Sequence, residues 1–111
     1  MKLFVDDLRK CPEGWQVART ITEAIRLLVE DNVEEISLDY DIRQCTFEKH
    51  KRNGRETFMT VAYFLGVMGA IPNCKKPKIR IHTANVEAGH RMADFLRMPY
   101  NNEIYDEKNY I

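Results

Sequence analysis

Glu35-Ile36-Ser37-Leu38-Asp39-Tyr40-Asp41 reads as a short strand that runs straight into acids. The chain's first residues do the same: Leu3-Phe4-Val5 leads into Asp6-Asp7. A further short run, Lys78 to Ile81, places Ile79 and Ile81 on one face and ends in His82-Thr83. Short apolar runs bounded by polar residues are the pattern of buried strands. Helical patterns separate them. Thr20-Ile21-Thr22-Glu23 is a capping-box sequence, and Ile21, Ala24, Ile25 and Leu28 then recur at helical spacing over residues 21–31. Phe58, Val61, Ala62, Leu65 and Met68 form a second stripe. Asn85 is placed to cap a third helix that carries Ala88, Met92, Phe95 and Leu96 and stops before Pro99. Trp15 to Ala18 is a further strand.

Strand, strand, helix, strand, helix, strand, helix is the order of an α/β layered domain with a mainly parallel sheet. About nine residues separate the first two strands, whereas a parallel crossover takes a dozen or more. The first crossover helix is therefore reduced to a turn or absent, or the two strands pair as a hairpin. Ile104 and Tyr105 could add an edge strand.

The 111 residues suit one domain, 1–111, with a core of its own. Seventeen Lys and Arg balance seventeen Asp and Glu, which excludes a strongly basic nucleic-acid binder and an acidic solvated tail. No apolar run is long enough to span a membrane. The N-terminal run is too short for a signal-peptide core, and Cys11, Cys45 and Cys74 are odd in number and widely spaced. Reduced thiols and a cytoplasmic location are expected.

In open α/β sheets, ligands bind at the carboxyl ends of the strands. That rule brings Asp6, Asp7, Asp39, Asp41, His82 and Thr83 towards one edge, with Arg9 close behind. Crowded aspartates need a cation or a proton. Mg²⁺ or Mn²⁺ takes oxygen ligands and leaves positions for phosphate, so Asp6, Asp7 and Asp39 are candidate ligands. The bland reading of the same aspartates is solvated strand ends or turn caps. His82 is a candidate acid or base near neutral pH, or a half-buried histidine bonded to backbone. Asn85 caps a helix whose start would welcome an anion. Residues 42–55 show no periodicity and carry Arg43, Lys49, His50, Lys51, Arg52 and Arg55. Such a loop is either a solvated connection or a basic flap for a phosphate substrate. Zinc on Cys11, Cys45, His50 and His82 matches no known ligand spacing.

Five short motifs occur in order: Asp6-Asp7-Leu8-Arg9, Pro12-Glu13-Gly14-Trp15, Thr22-Glu23-Ala24-Ile25, Ser37-Leu38-Asp39-Tyr40-Asp41, and His82-Thr83-Ala84-Asn85 followed by Gly89 and Met92. Together they resemble the cyclic-phosphate processing receiver domains, over roughly residues 2–96. The resemblance implies a three-layer, receiver-like (flavodoxin-like) α/β fold of four or five strands. It also implies processing of a cyclic phosphate, such as a 2′,3′-cyclic RNA end or a cyclic nucleotide. Asp6, Asp7 and Asp39 match the metal-holding acids of receivers, and Thr83 matches their hydroxyl residue. The family usually has histidine where this chain has Tyr40, its Thr-Gly survives as Asn53-Gly54, and no fifth strand ends in the receivers' lysine.

These readings converge on a metal-assisted phosphodiesterase or related hydrolase. Asp6, Asp7 and Asp39 would hold the ion. His82, Asp39 and Asp41 would do the chemistry, and Arg9, Arg43, Thr83 and Asn85 would hold a small phosphorylated ligand or RNA end. Two alternatives use the same edge: a non-catalytic nucleotide- or protein-binding module, and a phosphoacceptor receiver with Asp39 as its site.

Overall fold

Strand β1 (Lys2–Val5) lies between β2 (Gln16–Ala18) and β3 (Glu35–Leu38), with β4 (Lys78–Ile81) beyond β3. The computed structural model describes residues 1–42 and 56–100. Arg43, Cys45, the other basic residues of the 42–55 loop, and Ile104 and Tyr105 lie outside them. All three strand pairings are parallel, so the hairpin alternative is not taken. No helix links β1 to β2, as their short separation required. No helix among the described residues is long and apolar enough to cross a membrane.

Two of the three described helices begin at a side-chain cap. Helix α1 (Ile21–Glu30) starts where the Thr20 hydroxyl accepts the Glu23 N–H at 3.1 Å. Helix α2 (Met59–Ala70) has no side-chain cap. It is held by burial of Phe58, Val61, Ala62 and Leu65. Helix α3 (Val86–Leu96) starts where the Asn85 carboxamide oxygen accepts the Ala88 N–H at 3.1 Å. It ends with Arg97 in the left-handed region (φ 55°), where the Met98 N–H closes the last turn on the Ala93 carbonyl.

The steps β2 to β3 and β3 to β4 run in the same direction across the sheet. Right-handed crossovers therefore put α1 and α2 on the same face. Contacts of α1 with α2 and of α2 with α3 make that layer continuous. Its core is Leu3, Val5, Ala18, Ile36, Leu38 and Ile81 under Ala24, Leu28, Val61, Leu65 and Met92. The step from β1 to β2 runs the other way. Its crossover would cover the opposite face, and its helix is the one replaced by a loop. This receiver-like α/β fold matches the expected strand count and sheet type. Among the described residues its three helices pack against one another in sequence order.

The strand residues on the opposite face belong to the even rows of β1 and β4 and the odd rows of β3. Phe4, Ser37 and Arg80 fall there, since Phe4 is in register with Ser37 and Ser37 with Arg80. The same alternation carries Asp6, Asp39 and His82 to that side as the strands end.

Candidate active site at the carboxyl edge

Backbone pairing continues one residue past the strands. The Asp39 N–H donates to the Val5 carbonyl at 3.0 Å and the His82 N–H to the Leu38 carbonyl at 2.8 Å. Asp6, Asp39 and His82 are thus one row on three adjacent strands. Their ligand atoms lie within 4.8 Å of one another. All three are buried, as are Asp7, Arg9 and Thr83.

Asp6 organises the loop that replaces the first crossover helix. Its Oδ1 accepts the N–H groups of Leu8 and Arg9, each at 2.8 Å, an Asx-type turn. Arg19, just past β2, donates from Nη1 to the Arg9 carbonyl at 2.6 Å and to the Asp6 carbonyl at 3.2 Å. The turn therefore leads the Arg9 side chain back under the acids. Its Nη1 lies 2.9 Å from Asp6 Oδ2 and 3.2 Å from Asp39 Oδ2.

The second partner of Asp6 Oδ2 is His82 Nε2, at 2.9 Å. On the other side of the ring, His82 Nδ1 lies 2.7 Å from Ser37 Oγ. An ionised carboxylate only accepts, so Nε2 carries the proton, and Nδ1 accepts the Ser37 hydroxyl. Phe4 stacks on the imidazole at 4.5 Å, with the rings 4° from parallel. Burial pushes the His82 pKa down against the pull of Asp6, which favours the neutral ring.

The two acids are driven apart. Burial raises a carboxyl's pKa, but at Asp6 the His82 hydrogen bond and the Arg9 and Leu8 N–H groups outweigh it. Asp6 is held well below the usual carboxylate range. At Asp39 burial and the Asp6 charge prevail over Arg9, the Tyr40 N–H and the Thr83 hydroxyl, and the pKa is pushed up to about 7. Paired carboxyl groups separated in this way are the usual arrangement for assigning one group to proton transfer and the other to orientation.

Residues 1–98 match the sequence model of the cyclic-phosphate processing receiver domain. The chain belongs to that family. No curated protein and no solved structure gives a significant match. In this receiver domain the sequence-derived site is gathered unevenly. Asp6, Arg9, Asp39, His82 and Thr83 meet in one cluster. Asp7 is buried but does not join the three-residue ligand group. Asp41 stands beyond the edge, in an antiparallel bridge with Thr57. Asn85 spends its carboxamide oxygen on the α3 cap, and its N–H donates to Thr83 Oγ1 at 3.1 Å.

Tyr40 turns away from Asp39 by strand alternation. Its ring packs against the helix-side core, with the Arg91 guanidinium 5.8 Å above it. Cys11 bonds its own loop, at 3.2 Å from the Trp15 carbonyl, and Cys74 is also a free thiol. Of the zinc candidates, only Cys11 and His82 fall among the described residues. Ser37 and Arg19 were missed. A strand serine two residues before Asp39 shares its face, and that period-two relation was the available signal for Ser37. An arginine just after β2 gave none.

The donor set tests the expected Mg²⁺ or Mn²⁺. Both oxygens of Asp6 already accept two hydrogen bonds each. Asp39 Oδ1 accepts the Tyr40 N–H at 2.7 Å, and its Oδ2 faces Arg9. As placed, these side chains do not fit a divalent ion held directly between Asp6 and Asp39, because a guanidinium lies there.

Proposed function

We propose that this domain opens a cyclic phosphate by general acid–base catalysis at the Asp6–Arg9–Asp39–His82 cluster. The observation that carries the reading is the unequal setting of two adjacent buried acids: Asp6 accepts four hydrogen bonds that keep it ionised, whereas burial beside the Asp6 charge pushes the Asp39 pKa up, to about 7. A protonated Asp39 can give its proton to the ring oxygen that leaves phosphorus. A water attacks phosphorus as that P–O bond breaks. The water's proton passes by way of the Ser37 hydroxyl to His82 Nδ1, and the Asp6 carboxylate stabilises the resulting imidazolium. Balance is kept: one water is added, one proton arrives at His82, and one leaves Asp39.

Arg9 is the fixed positive charge beside the acids, and the start of α3 at Asn85 offers backbone N–H groups to the phosphate oxygens. The substrate class is a small phosphorylated ligand or an RNA end with a five-membered cyclic phosphate. Phosphorus NMR with such a substrate should show a new phosphomonoester peak. Asp39→Asn and His82→Ala should each slow its appearance by about 10²-fold or more, and unchanged rates in both would refute the assignment.

A second reading has its own support. Both nitrogens of His82 and every oxygen of Asp6 are engaged, as in a polar core that only shapes a binding edge. Phosphate-ligand line broadening without any product would favour this module.

A further inference from the structure

Two carboxyl groups buried side by side are relieved by a cation, a proton or both. Asp6 and Asp39 end adjacent parallel strands, and they are 1% and 5% exposed. We infer that the Arg9 guanidinium is the resident cation of this gap, so that no divalent ion binds between Asp6 and Asp39 unless Arg9 is removed.

The positive charge is built in and tethered. Arg9 is 2% exposed. Its backbone N–H is held by Asp6 at 2.8 Å and its carbonyl by Arg19 at 2.6 Å, so the residue is anchored on both sides of its Cα. Its Nη1 bridges the acids at 2.9 and 3.2 Å. A magnesium ion needs about six oxygen ligands at roughly 2.1 Å and gives up its waters reluctantly. It would have to displace the guanidinium and strip Asp6 of its hydrogen bonds. The spacing itself would accept an ion once the side chain is gone, because the ligand atoms of Asp6, Asp39 and His82 lie within 4.8 Å of one another.

The chemical consequence is specific. A guanidinium offers charge and directed N–H groups but cannot acidify a bound water as a metal does. Activation of a nucleophile then falls to the protein's own acids and bases. The inference concerns the cation and holds whichever phosphate compound the domain takes, so it stands or falls separately from the proposed function.

Electron paramagnetic resonance of Mn²⁺ tests it directly, through loss of the free-ion signal on titration with protein. The wild-type chain should leave the signal unchanged, as should Asp39→Asn. Arg9→Ala, or Arg9→Met if the stem is needed for folding, should take up Mn²⁺ about tenfold more tightly or better. Adding Asp39→Asn to either variant should abolish the uptake. Uptake by the wild type that Asp39→Asn removes would overturn the inference. So would a folded Arg9 variant that takes up no ion. If neither variant folds, the wild-type titration decides alone.

Discussion

Asp39 is the residue on which pH should act most visibly. Its pKa is raised in the folded chain from 3.8 to about 7. A raised carboxyl binds its proton more tightly in the folded state. Its contribution to stability is full below about pH 4 and is lost as pH climbs through about 7. Asp39→Asn removes that loss. Urea denaturation should find the variant more stable than wild type at pH 8, by about 4 kcal/mol, and level with it near pH 4. His82 acts in the opposite sense. Its lowered pKa contributes stability above about 6.5 that is lost as pH falls below that value. Ser37→Ala leaves His82 Nδ1 without its 2.7 Å donor and should cost about 1–3 kcal/mol. Nitrogen NMR of the imidazole should report the changed Nδ1 environment, and an unchanged spectrum would break the assigned tautomer.

At the scale of the elements, Gly66 in α2 and Gly89 in α3 make opposite predictions. A Cβ on Gly89 would meet the Tyr100 ring at 2.7 Å and Thr83 Cγ2 at 3.0 Å. Thr83 is 1% exposed and bonded to Asp39, so it has little room to yield. Gly89→Ala should lower stability by about 1–3 kcal/mol and disturb the Asp39 titration as well. A Cβ on Gly66 meets only the ring edge of Phe95 at 2.9 Å. Phe95 is 45% exposed and can swing aside. Gly66→Ala should therefore be near neutral in thermal denaturation, since helix propensity favours alanine. Thr20→Ala should cost about 1 kcal/mol through the lost α1 cap.

The helices were legible from sequence because their signals are local. Thr20 and Asn85 are caps, and the stripes in α1 and α2 repeat at helical spacing. Strand pairing between β1 and β2 was not legible. Nine or so residues are too few for a helix, and only the Asx-type turn built on Asp6, clamped by Arg19, shows how a parallel step is made without one.

The whole molecule explains why part of the site could be read in advance. Asp6, Asp39, His82 and Thr83 follow strands, and the carboxyl-edge rule gathers whatever ends there. Arg9 was legible as a neighbour but not as the cation. Its placement depends on a loop that has no period, and the expected divalent ion filled the same electrostatic need. Asp7 and Asp41 were nominated by proximity in sequence. Alternation at the strand end sends Asp7 to the side opposite Asp6, whereas Asp41 lies beyond the edge in its bridge with Thr57. The missing crossover helix belongs to the side of Asp6, where the Asp6–Asp39–His82 row sits.

The most direct measurement is phosphorus NMR of the wild-type chain with a 2′,3′-cyclic nucleotide, run in a chelator and again with Mg²⁺. The account predicts a phosphomonoester peak that grows equally in both, fades as pH rises above about 7 where Asp39 loses its proton, and appears about 10²-fold or more slowly in Asp39→Asn. Turnover that appears only with Mg²⁺, or no turnover in either, would contradict it.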